Sequence, residues 1–182
     1  MPPRKLLWRI CRDKPQLNGM LRFRSFVLAL LLSALAAAAP VWKAFKSGPA
    51  HFVTVFPSIP QARSSQTDSP IGAVTTEIYT STVAWGSYSV AYTELPGAAV
   101  RFAPDKVIQD AREGILQDAG AQQQSWVPIN GGNELTYRAG PKQGWSQIFL
   151  VGNRLYVLDA RVKVGTDRGR WVLPFFAKFA SQ

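Results

Sequence analysis

His51 is the only histidine in the 182 residues. An imidazole does acid–base or metal work only with a partner: a nucleophile, a second base or further ligands. Neither an HExxH nor a GxSxG pattern occurs, so His51 reads as a structural or exposed edge-strand residue. Carboxylates are the next source of chemistry. Glu77, Glu94 and Glu134 could build a carboxylate-only hydrolytic site if two of them converged on a deep pocket. Asp105, Asp110, Glu113 and Asp118 fall on one predicted helix, but they spread around it with Lys106 and Arg112 between them. That pattern is a solvated face more than a cation site. Asp159 and Arg161 stand two apart on one strand face and could meet a partner; cross-strand ion pairing is the plainer role. Gly131 and Gly132 lack the strand–GxGxxG–helix context of a dinucleotide site and read as turn glycines. Trp85 and Trp145 each sit beside a glycine near a predicted strand end. Tryptophan serves cores and interfaces alike. Core packing is the plainer role for both, and with Arg161 they form the candidate partner surface. No catalytic residue, cofactor or metal ligand is assigned.

The elements that must position these residues follow from periodicity. From Arg154 to Val164 the apolar residues alternate: Tyr156, Leu158, Ala160, Val162 and Val164 share one face. Leu155, Val157, Asp159, Arg161 and Lys163 share the other. After a polar turn, Trp171, Phe175, Phe176 and Phe179 make the aromatic stripe of one closing helix, with Pro174 in its first turn. Strand and helix should bury each other, giving a core of Phe56, Tyr156, Leu158, Val162, Phe175, Phe176 and Phe179. Earlier in the chain, HFVTVFP reads as a short strand ended by Pro57, and PSIPQARSSQTDSP as a loop. A hairpin follows from Val74 to Tyr92, bent at Gly86. Asp105–Ala119 is the clearest helix, its apolar face made by Val107, Ile108, Ala111, Ile115 and Leu116, and Gly120 is its stop. Strands over 122–129, 134–139, 146–151 and 154–164 complete the set, with Gly140–Gly144 as a longer loop between two of them. Short turns imply an antiparallel sheet with two helices packed on it, an α+β domain of about six to seven strands.

The charge is uneven. Residues 1–39 hold seven Lys or Arg and one Asp, a net of +6; residues 40–182 hold fourteen and ten, a net of +4. The cations after residue 40 are scattered, which argues against a nucleic-acid footprint. Arg22 and Arg24 precede the apolar run Phe26–Ala39, which leads into Pro40. A basic flank, a short apolar stretch and small residues make an export signal, so 1–39 reads as signal peptide or signal anchor with Met20 as the true start. The run falls short of the roughly 20 apolar residues of a membrane span, which favours cleavage near Ala38–Pro40 over an uncleaved anchor. Residues 40–50 read as a linker and 51–182 as the domain. Cys11 is the only cysteine, so the exported part has no disulfide and no thiol nucleophile.

Taken in order, these stretches resemble the PsbP-like domain family and its bacterial secreted relatives. HFVTVFPSIP is similar to the family's opening strand, AVTTEIYTSTVAWGSYSVAYTELP to its hairpin, and DKVIQDAREGILQDAG to its helix. INGGNELTYR follows, and GNRLYVLDARVK with FFAKF is similar to the closing strand and Phe-rich helix. The resemblance covers nearly everything after residue 50, although Ala177-Lys178 stands where the family has a Ser-Phe ending. It implies an antiparallel sheet between helices, an α-β-α sandwich. It also implies non-enzymatic work, since relatives serve as photosystem-associated subunits, as nuclear-transport factors that bind a small GTPase, or in bacterial envelopes. No binding residue transfers. The expected protein is an exported, periplasmic or extracellular binding or accessory module without a cofactor. Its partner would be an envelope protein or small ligand, not nucleic acid, and it would touch the membrane only through an uncleaved anchor. The alternative is a small secreted hydrolase.

Overall fold

The computed structural model describes residues 41–69 and 72–182. Contacts divide the chain after Ala38, and every element below belongs to the second unit. The expected signal segment and its start at Met20 lie outside the described residues.

Seven antiparallel strands form the main sheet. They are β3 (Gln61–Ser69), β4 (Gly72–Val83), β5 (Gly86–Glu94), β6 (Gln122–Ile129), β7 (Gly132–Ala139), β8 (Lys142–Val151) and β9 (Arg154–Lys163), in the order β3-β4-β5-β9-β8-β7-β6. A second sheet joins β1 (Lys43–Ser47), β2 (Phe52–Phe56) and β10 (Ala180–Ser181) in the order β1-β2-β10. The helices are α1 (Gly97–Phe102), α2 (Pro104–Ala119), α3 (Arg168–Trp171) and α4 (Leu173–Ala177). The α+β class and an antiparallel sheet are as the periodicity predicts, but the strand HFVTVFP, expected in that sheet, lies in the second one as β2, and β3 takes the seventh place.

Each face of the main sheet has its own core because β9 alternates two apolar sets. Tyr156, Leu158, Ala160 and Val162 are wholly buried on one face. There they meet Phe52 and Phe56 of β2 and Phe175 of α4. Phe175 lies 5.5 Å from Phe56 and 5.6 Å from Tyr88, ring to ring. Such aromatic pairs add about 0.5–1.5 kcal/mol beyond their burial. On the other face α2 lays Ile115, with Ile108, Ala111 and Leu116, against Leu135, Tyr137 and Ile148. α2 starts at Pro104, with Asp105 in its first turn. It stops at Gly120, whose φ of 55° lets its N–H reach the carbonyls of Gln117 and Leu116.

Several expectations are corrected. The expected linker 40–50 contains β1, and Phe45 packs within 5.6 Å of Phe56 and 5.5 Å of Tyr79. Its five residues, KAFKS, carry one large apolar side chain, too little alternation to read as a strand. The expected loop 57–70 contains β3, paired with β4 from Gln61↔Thr80 to Ser69↔Gly72. Gln61 to Thr67 are exposed, so this edge strand has no buried face to print a hydrophobic period. Lys142 opens β8, so the expected Gly140–Gly144 loop is a tight turn. His51 precedes β2 in a turn at φ 50° instead of lying on the strand. α1, in GAAVRF, was not expected; six residues are too few for a helical period.

The single closing helix is two short helices and a strand. Val172 leaves helical geometry at φ −124°, and Pro174 restarts the chain as α4. Proline has no N–H to continue the ladder from α3. The far layer of the expected sandwich is therefore the β1-β2-β10 sheet with α3 and α4, and not one helix.

Candidate functional site

The site is built by strand register. On the α2 side of the sheet, β5 presents Ser87, Ser89 and Ala91 opposite Arg161, Asp159 and Val157 of β9. β4 continues the rows with Thr82, Thr80 and Ile78, and β3 adds Arg63 opposite Ile78. α2 packs chiefly on β7 and β8. The floor from β9 to β3 is thus left beside the helix as a cleft of about 400 Å³. Arg63 stands at one side and Asp118 with Arg161 at the other.

Asp159 anchors the helix side of the cleft and is only 6% exposed. One carboxylate oxygen accepts from the Tyr137 hydroxyl at 2.6 Å and the Ser146 hydroxyl at 2.5 Å. The other accepts from Arg161 Nε at 2.6 Å. Arg161 also reaches Asp118 on α2 at 3.0 Å. The pairing expected for Asp159 and Arg161 across strands instead runs along β9 and out to the helix. Tyr137 fits because it lies over Gly144, where any Cβ would collide with its ring. Burial raises the Tyr137 pKa well above its ordinary value, and the Asp159 charge adds to the effect. Burial opposes the Arg161 charge, but Asp159, the neighbouring Tyr137 oxygen and Asp118 outweigh it and push the Arg161 pKa up. This network positions side chains; its carboxylate is already occupied on both oxygens.

The opposite face holds a second polar group. Glu134 accepts from Arg168 at 2.6 and 2.7 Å and from Gln147 at 2.9 Å. The Arg168 guanidinium also lies 5.6 Å from the Trp145 ring centre. Trp145 pairs with Ala160 and Arg161 with Gly144, so these two candidate partner residues point to opposite faces. Trp85 packs on Trp171 at 4.8 Å. It shares a smaller cleft of about 130 Å³ with Arg161, Lys142 and Lys163. Both tryptophans are half-buried against the core.

Of the three glutamates, two are neighbours. Glu77 pairs with Tyr92 in register, and Glu94 is two residues further along β5 on the same face. As diagonal neighbours they are on the order of 7–8 Å apart. Glu77 accepts from Tyr79 at 2.7 Å, and Glu94 from Asn153 at 3.1 Å. Glu134 sits four strands from Glu77, roughly 19 Å at the usual strand spacing. Along α2, Lys106 pairs with Asp110 at 2.8 Å, whereas Asp118 turns to Arg161. His51 is exposed, and its carbonyl accepts from Tyr156 at 3.3 Å and from the Gln182 N–H at 2.7 Å.

Tyr137, Ser146, Arg63 and Ser89 were not singled out by sequence. Alternation alone could have placed Tyr137 and Ser146 with Asp159, given the strand register. Arg63 was hidden in a segment read as loop.

The structure is similar to the solution structure of cyanobacterial PsbP (CyanoP) from Synechocystis sp. PCC 6803. The TM-score is 0.50 at 12% identity, over 81% of this chain and 96% of that one. The chain has the PsbP-like fold. A crystal structure from Bacteroides thetaiotaomicron VPI-5482 is also similar, with a TM-score of 0.42 at 15% identity, over 77% of this chain and 48% of that one. No family model matches the chain, and no curated protein matches it.

Proposed function

We propose that this PsbP-like chain is an exported, non-enzymatic binding or accessory protein of the cell envelope, and that it binds through the open part of the helix-side sheet face. One observation carries the reading. Thr80, Ser87 and Ser89 line the cleft with hydroxyls that make no side-chain hydrogen bond among the described residues, while Asp159 beside them is engaged on both oxygens. Free hydroxyls and a tied carboxylate suit recognition better than proton transfer, which needs a base free to take a proton. Export is supported by the basic flank and apolar run before Pro40. Among the described residues no helix is long and apolar enough to cross a membrane. The partner is an envelope protein or small ligand.

Affinity capture from envelope extract tests this reading, with the full chain and a Ser89→Trp variant as baits. Ser89→Trp fills the cleft from a half-buried strand position. The reading expects a partner retained by the native chain and lost by the variant at an unchanged melting temperature. Identical capture by both baits contradicts it. The hydrolase reading keeps one support, the neighbouring Glu77 and Glu94. Turnover of a glycoside or ester that Glu77→Gln and Glu94→Gln each abolish would establish it instead.

A further inference from the structure

Gly114 is the odd residue of the cleft. It lies inside α2, where glycine weakens a helix more than any residue but proline. Packing does not require it, because a Cβ at Gly114 would meet nothing within 4 Å. What glycine does there is keep the helix wall of the cleft low. Charge is the second observation. Arg161 is met by two carboxylates, Asp159 and Asp118. Arg63, across the cleft, is exposed and has no carboxylate partner among the described residues. It is the cation of the cleft that no carboxylate engages, and its planar fork suits a carboxylate.

The floor between these walls has two characters. Thr80 pairs with Ser89, and Ser87 lies two residues before Ser89 on the same face of β5. Their hydroxyls both donate and accept, which matches a ligand that is itself hydroxylated. Beside them Ile78, Ala91 and Val157 form one apolar row, enough for the C–H face of a single ring. Three strand spacings, about 14 Å, separate β9 from β3 across this floor. The cleft volume of about 400 Å³ lies within the usual small-ligand range.

We infer that the cleft takes a small hydroxylated carboxylic acid of the sugar-acid type, its carboxylate on Arg63 and its hydroxyls over Thr80, Ser87 and Ser89, against the wall lowered by Gly114. The inference rests on the binding reading above and names the ligand class. A single apolar row is too narrow for a lipid chain, and one cation without a carboxylate partner is too few for a nucleic-acid backbone.

Sodium glucuronate is the probe, with glucose, sodium acetate and inorganic phosphate as separate arms. Each is titrated into the full chain in the form its host produces, followed by amide NMR. Glucuronate should move the amides of Arg63, Ser89 and Gly114. Glucose, acetate and phosphate should each bind about tenfold or more weakly, since each lacks half of the recognised chemistry. Arg63→Ala, at an exposed edge strand, should weaken glucuronate by about tenfold or more. Gly114→Leu should abolish binding while the melting temperature holds or rises, because leucine is a good helix former and open space receives it. Cleft amides that stay still with millimolar glucuronate overturn the inference, as do shifts that persist in Gly114→Leu or an equal response to phosphate. Silence toward glucuronate alongside capture lost in Ser89→Trp overturns the ligand class alone. Silence in both experiments overturns the binding reading as well.

Discussion

Phe175 and Phe179 belong to one aromatic tail yet carry different weights. Phe175 is wholly buried between Phe56, Tyr88 and Phe176. Phe179 is half-buried, stacked on Phe149 at 5.4 Å and edge-on to Tyr156 at 5.5 Å. Phe175→Ala should therefore cost about 3–5 kcal/mol and Phe179→Ala roughly half of that. Thermal melts of the two variants give the order, and equal melts would refute it. A second residue-scale expectation concerns alkali. Tyr88 is buried and donates to the Trp171 carbonyl at 2.6 Å. Burial pushes its pKa from 10.0 up to about 12. The folded state then holds this proton more tightly than the unfolded chain. Its contribution is fully present below about pH 10 and is lost as pH rises toward 12. Buried Tyr137, raised in the same direction, acts in the same sense. Melts at pH 9 and pH 11 should show the fall, and Tyr88→Phe should show a smaller one.

At the scale of elements, what was legible depended on having one buried face. β9 and α2 each bury one stripe against a core, so a period of two and a helical period were readable from Tyr156–Val162 and Val107–Leu116. β3 buries neither face over Gln61–Thr67, and β1 offers only Phe45, so neither prints a strand period in the sequence. The aromatic spacing of Trp171 to Phe179 predicts one closing helix, but it also fits two short helices broken at Val172 with Phe179 beyond the second. The candidate site was legible only in part. Asp159 and Arg161 shared a face in the sequence, but register across β3, β4 and β5 brings Arg63, Thr80 and Ser89 to them. β1 makes a test of its own. Phe45 touches Phe52, Phe56 and Tyr79 with ring centres 5.5–6.0 Å away. Phe45→Ala should cost about 2 kcal/mol, as a partly buried aromatic does. A true linker residue would leave the melting temperature unchanged.

In the whole molecule a basic, apolar stretch precedes a PsbP-like domain whose helix-side sheet face is partly open. Read as an export signal, that stretch predicts processing near Ala38–Pro40, three to five residues before β1 begins at Lys43. Intact-mass spectrometry of the chain from its host should find a dominant species without residues 26–39. A dominant species that keeps them would mean a signal anchor. The domain contributes the binding claim, and its location on one face is what gives it content. Amide hydrogen exchange of the full chain, alone and in envelope extract, reads that location most directly. Slowed exchange in β4, β5 and the Gly114–Asp118 part of α2 is the predicted result. Exchange that slows only in β1, β2 and β10, or nowhere, would contradict it.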